Sequence, residues 1–85
     1  MDTEWNPAKN EANIAQHGLS FADFNGFDAE PVVIEDTRYD YGEARYNAIG
    51  RIGGEPHSLT FTMRGTVIRL ISFRRAHEKE MRRYD

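Results

Sequence analysis

Apolar and polar positions alternate most clearly between Ser58 and Arg74, SLTFTMRGTVIRLISFR. Two such runs flank Arg64-Gly65-Thr66. Gly65 is free to take the positive φ that a tight turn requires, so the pattern predicts a β-hairpin. A two-residue turn at Gly65-Thr66 pairs Arg64 with Val67, Thr62 with Arg69, Thr60 with Ile71 and Ser58 with Phe73. A four-residue loop closed by Met63 and Ile68 keeps that register, whereas a three-residue loop slips it by one and scatters the faces. In the paired register Leu59, Phe61, Met63, Ile68 and Leu70 share one face, the expected core face. Thr60, Thr62, Arg64 and Arg69 share the other, with Val67, Ile71 and Phe73 among them.

Upstream the pattern changes period. Glu4-Trp5 is a short lead-in, a strand or an extended segment. Asn6 is a suitable N-cap and Pro7 a suitable first helical residue, so a helix is expected over Pro7–His17, closed by Gly18. Its apolar content is thin, which places it on the surface. Ser20 and Asp23 resemble a capping box, with Leu19 and Phe24 as a hydrophobic staple, and a second helix is expected to run to Asp28. Val32-Val33-Ile34 reads as a strand and Asp36–Gly42 as a loop. Glu43–Arg51 reads as another strand, in which Ile49 falls on the polar side and requires burial on both faces or a bulge. Gly50, Gly53, Gly54 and Pro56 form the turn into the hairpin, and Arg75–Tyr84 is a C-terminal helix. Helix, helix, four strands, helix is an α+β domain with an antiparallel sheet.

Size and charge sharpen this. Eighty-five residues are expected to form one domain that buries only about 60–65% of its unfolded surface, leaving some stability to a partner. There is no cysteine, so disulfides and thiolate metal sites are excluded. No apolar run approaches the roughly 20 residues of a membrane span, and the N-terminus lacks a signal-peptide core, so a soluble, cytoplasmic protein is expected. Residues 1–50 carry ten acidic and three basic side chains, whereas residues 62–85 carry seven basic and three acidic. The basic third leaves room for a polyanion site that the overall charge of −3 conceals.

Arg64, Arg69 and Arg74 are the sharpest chemical signal, backed by Thr60, Thr62, Arg75, Lys79, Arg82 and Arg83. Guanidinium groups at this density suit phosphate, to which the planar fork donates two parallel hydrogen bonds. The plainer reading is a solvated face paired with nearby carboxylates, with Glu78 and Glu80 tying down Arg74, Arg75 or Arg82. His17, His57 and His77 share no ligand spacing, so no metal or other cofactor is expected. His17 is most simply a helix C-terminal residue favoured by the macrodipole.

Taken together, EWNPAKNEANIAQHGLSF, GEARYNAIG and LTFTMRGTVIRLISFRRAHEKEMRRYD resemble the BrnT toxins of type II toxin–antitoxin systems, over nearly the whole chain. The order W-x-P-x-K-x-x-x-N-x-x-x-H-G-x-S-F then T-x-R-G-x-x-I-R-x-I-S-x-R-x-A carries the likeness. The chain departs from the family at Gly53–His57, where a Gly-Arg pair is common, and at Phe73, where alanine is usual. The resemblance implies a RelE/ParE-like domain acting as a metal-independent ribonuclease. It also implies neutralisation by a BrnA-like ribbon-helix-helix antitoxin, through which alone the toxin reaches operator DNA. For such chemistry Arg64, Arg69 and Arg74 are the candidates for charge stabilisation, and His17, Glu78 and Tyr84 for proton transfer. Lys9, Thr62, Arg75 and Arg82 are the candidates for RNA contact. The alternative is a ParE-like or interaction-only toxin working through protein contacts.

Overall fold

A computed structural model describes residues 2–84. Its centre is one five-stranded sheet of order β1-β5-β4-β3-β2. The strands are β1 (Thr3–Trp5), β2 (Val32–Asp36), β3 (Arg45–Ile52), β4 (Glu55–Arg64) and β5 (Val67–Arg75). Helix α1 (Pro7–His17) follows β1, a single 3₁₀ turn (Phe21–Asp23) follows α1, and α2 (Glu78–Arg82) follows β5. The fold is α+β as expected, but the RelE/ParE-like arrangement expected from the resemblance does not match. Among the described residues there are five strands, the sheet is mixed because β1 runs parallel to β5, and only one N-terminal α-helix forms.

Each difference has a local cause. The capping box at Ser20 is present, with Ala22 N–H on Ser20 Oγ at 3.2 Å and Ser20 N–H on Asp23 Oδ2 at 3.2 Å. Phe24 is nevertheless extended (φ −81°, ψ 114°), and Asn25-Gly26 turns the chain away after one turn. This lets Phe24 and Phe27 lie against the sheet instead of along a helix. The turn before β4 is only Gly53-Gly54, since Ile52 pairs directly with Glu55. Gly50 belongs to β3, not to that turn. A Cβ there would lie 2.8 Å from the Phe27 ring and 3.2 Å from Pro31, so the close approach of that segment requires glycine.

Hairpin β4–β5 has the expected pairs near its turn, Arg64 with Val67 and Thr62 with Arg69. Gly65 takes φ +63° there, as the first central position of a II′ turn does. Beyond Phe61, which pairs with Leu70, the register shifts by one. Ile71 is the extra residue of a bulge, and Thr60 pairs with Ser72 and Ser58 with Arg74, not with Ile71 and Phe73. Phe73 therefore moves to the core face beside Leu59.

The core is Phe21, Ala48, Leu59, Leu70 and Phe73, with Trp5, Leu19, Phe24 and Phe27 packed around it. Phe24 meets Phe73 edge-on at 5.5 Å, and Trp5 meets Phe21 at 6.2 Å. Phe61 and Ile68 are only half-buried and Met63 is exposed, because the cover of α1 and the 3₁₀ turn stops short of the hairpin tip. Ile49, by contrast, is buried on the opposite face, as its place in an otherwise polar row required.

Asn13 is the one buried residue of α1. Its Nδ2 donates to Phe73 O at 2.8 Å and to Leu19 O at 2.8 Å, and its Oδ1 accepts from Phe73 N–H at 3.0 Å. β1 pairs with β5 only at Ile68–Leu70. The Asn13 amide thus continues the ladder as a one-residue substitute strand, satisfying backbone groups that would otherwise be buried without partners.

Candidate functional site

The face of the sheet away from the core is where the arginines gather. Directly paired residues point the same way, so one row across this face is Asp36, Arg45, Thr62, Arg69 and Glu4. Arg45 joins Thr62 by extending the Tyr46–Phe61 register one step. The next rows are Ile34, Asn47, Thr60, Ser72 and then Val32, Ile49, Ser58, Arg74. Uninterrupted alternation would send Arg69 and Arg74 to opposite faces, since five positions separate them. The bulge at Ile71 is what puts them on the same one.

They do not converge on one point. Arg69 and Arg74 sit opposite Thr62 and Ser58, four residues apart on β4, or roughly 13 Å at about 3.3 Å per residue. Arg64 lies two residues further on. The three form a line whose total span is roughly 20 Å. Each has a carboxylate partner: Arg64–Glu43 at 3.5 Å, Arg69–Glu4 at 3.2 Å and Arg74–Glu80 at 2.8 Å. The plainer expectation of paired arginines is therefore met at all three positions.

Around Arg74 the face deepens into a groove of about 390 Å³. Its floor is Ile34, Asn47, Ile49, Ser58 and Thr60, and its walls are Arg38, Arg74, Glu80, Arg83 and Tyr84. Thr60 donates to Asn47 Oδ1 at 2.8 Å, fixing the amide with its Nδ2 still able to donate. α2 forms the near wall because Glu80 holds it in place. The Glu80 carboxylate accepts from Arg74 at 2.8 and 3.1 Å and from the His77 N–H at 2.9 Å. Those contacts, the Arg74 guanidinium first, hold Glu80 at about 2, and the same pair raises Arg74. On the far wall Arg38 donates to both oxygens of Asp36, at 3.0 and 2.9 Å, and Tyr41 Oη donates to Asp36 at 3.1 Å. These donors hold the Asp36 carboxyl well below the usual range, with the Arg38 side chain the largest cause. Arg45 lies over the Tyr41 ring at 4.1 Å, and its buried Nε has no hydrogen-bond partner.

Of the residues singled out by sequence, the groove takes in Arg74 and Tyr84 from the candidate site, with Thr60, Glu80 and Arg83 beside them. Arg64 and Arg69 lie on the same face, further toward the hairpin tip. Thr62 is buried, and its hydroxyl donates to Ala44 O at 2.6 Å. Glu78 is held by Arg51 at 2.6 and 3.0 Å outside the groove, which lowers its pKa. Lys9 and His17 are on α1, exposed and half-buried respectively. Arg75 pairs with His57 across from Gly50, so it points to the opposite face from Arg74. Arg82 is exposed on α2. Arg38 and Asn47 went unnoticed in the sequence. Arg38 sits in a polar loop with no periodicity, and Asn47 becomes distinctive only beside Thr60.

Over residues 5–80 the chain matches the family model described as "Ribonuclease toxin, BrnT, of type II toxin-antitoxin system". The chain belongs to the BrnT family. Membership brings a ribonuclease toxin's activity and, from the type II class, a protein antitoxin as partner. The match ends at Glu80, so the groove residues Arg83 and Tyr84 lie past it, whereas Arg38, Asn47, Ser58, Thr60 and Arg74 lie within it. No curated protein matches this BrnT chain. Among the described residues no helix is long and apolar enough to cross a membrane.

Proposed function

We propose that this BrnT chain cleaves single-stranded RNA in the groove beside Arg74, without a metal ion, in the cytoplasm. The observation that carries the reading is the meeting of Arg38, Arg74, Arg83, Glu80 and Tyr84 around one groove. Three guanidinium groups supply the positive charge that a phosphorane-like transition state calls for. Arg45, Arg69 and Arg64 extend the same face as a cationic track for neighbouring phosphates.

The chemistry uses the RNA 2′-OH, which DNA lacks. An incoming phosphate competes with Glu80 for Arg74. As Arg74 turns to the phosphate, Glu80 loses the contact that depresses it most, and its carboxylate regains ordinary basicity. Glu80 then takes the proton of the 2′-OH as its oxygen bonds to phosphorus. The P–O5′ bond breaks and Tyr84 gives its proton to the leaving 5′-oxygen. The products are a 2′,3′-cyclic phosphate and a 5′-hydroxyl end. The protein antitoxin is BrnA-like, with a ribbon-helix-helix part that supplies the contact with operator DNA.

The test is cleavage of a defined single-stranded RNA in EDTA, beside the same strand carrying a 2′-deoxy residue at the scissile position. Cleavage of the first and not the second is expected, with a cyclic phosphate on the product. Cleavage of both, or loss of cleavage in EDTA, contradicts the mechanism. The ion pairs at Arg64, Arg69 and Arg74 favour a second reading, in which the arginines are structural and the toxin acts by protein contact. Growth arrest with no cleavage of any RNA strand would support that reading.

A further inference from the structure

The two outer edges of the sheet are finished differently. On the β5 side, β1 pairs with Ile68–Leu70 and the Asn13 amide serves Phe73. On the other side β2 pairs with β3 alone, and no described strand covers its outer edge. Val32, Val33 and Ile34 are 37%, 51% and 40% exposed. Side chains alternate along a strand, so both faces of this edge are apolar. The helix-side face continues into an open apolar groove of about 720 Å³ between Val33, Pro31, Phe24, Phe27 and Phe61. Exposed edges are usually blunted by charged side chains, proline or a bulge; in β2 the charges Glu35 and Asp36 come only at its end, and Val32–Ile34 contains none of these.

The surroundings decide what fits there. Residues 23–43 hold seven carboxylates and one cation, Arg38, a balance of −6. A second copy pairing β2 to β2 about a two-fold axis would set −6 against −6. A basic strand meets complementary charge and apolar surface together.

We propose that the β2 edge receives an extended segment of the protein antitoxin, apolar and rich in lysine or arginine, as a sixth strand. This rests on membership of a type II toxin family and is independent of the catalytic reading of the groove beside Arg74. Backbone pairing supplies affinity, Val33 and the adjoining groove take the segment's apolar side chains, and the acidic rim selects for basic ones.

The test uses the full chain and the antitoxin encoded with it, titrated calorimetrically. Val33→Lys places a cation on the exposed edge and is expected to weaken binding at least tenfold. Ala12→Lys, the same charge change on the exposed face of α1, is expected to leave it unchanged. Hydrogen exchange on the wild-type complex is expected to show new protection of those amides at 32–36 that do not already bond to β3. If Val33→Lys does not fold, Val33→Thr keeps the β-branched shape and is expected to weaken binding several-fold. RNA cleavage by the Val33 variants is expected at the wild-type rate, so failure of the docking proposal and failure of the catalytic one read out separately. The proposal is overturned by wild-type protein that does not bind, by unchanged affinity in the Val33 variants, or by no new protection of those amides. It is also overturned by a wild-type dimer that Val33→Lys converts to monomer, since the edge then holds a second copy.

Discussion

Asn13 shows how much one side chain carries in a domain this small. Its amide closes a ladder between residues 60 apart in sequence and also holds the Leu19 carbonyl at the start of the 3₁₀ turn. Asn13→Ala strands a buried N–H and a buried C=O of Phe73, and the expected cost is about 2–6 kcal/mol, at roughly 1–3 for each buried group left unpaired. Asn13→Asp is expected to cost at least as much. A carboxylate can accept from the Phe73 N–H but has no donor for the Phe73 and Leu19 carbonyls. Urea unfolding of the three proteins checks both. A fully stable Asn13→Asp would show that the donated bonds matter little. Nothing in the sequence marks this role, because an asparagine on the inner side of a thin helix looks like any polar surface position.

Among the elements, the hairpin was legible near its turn and illegible further out. Gly65 and the strict alternation around it specify the pairs from Arg64–Val67 to Phe61–Leu70. The bulge left no mark, since Ile71 is β-branched and suits a regular strand equally well. β1 was readable as a strand or an extended segment at Glu4-Trp5, but its parallel pairing with β5 was not: three residues hold no readable period, and their partner lies at the far end of the chain. The capping signal at Ser20 was real, yet a cap specifies where a helix begins and not whether it continues past Asn25-Gly26. α2 is the element on which the site most depends, and it hangs on Glu80. The Glu80 carboxyl is held at about 2 against an ordinary 4.5. A depressed carboxylate contributes stability that is complete above 4.5 and is lost as pH falls toward 2. Docking of α2 is therefore expected to weaken as pH falls through that window, followed by the NMR signals of Met81 and Tyr84. In Glu80→Gln those signals are expected to be flat over the same window. The same titration in both proteins would assign the change to another carboxylate.

For the whole molecule, one sheet separates two kinds of surface. The covered face is aromatic and shared with α1 and the 3₁₀ turn, and the open face is a row of arginines deepening beside α2. Family membership makes the chain a ribonuclease toxin, and the open face is where we propose that its chemistry takes place. Arg74 and Arg75 make the comparison direct, because adjacent positions in β5 put one in the groove and the other on the opposite face. The decisive measurement is single-turnover cleavage of a defined single-stranded RNA by Arg74→Ala and Arg75→Ala, each normalised to folded protein well below its melting temperature. Arg74→Ala is expected to lose about 10²–10³ in rate, the effect of removing one well-placed electrostatic donor, while Arg75→Ala cleaves at close to the wild-type rate. A folded Arg74→Ala protein that cleaves as fast as wild type would contradict the placement of the active site in this groove.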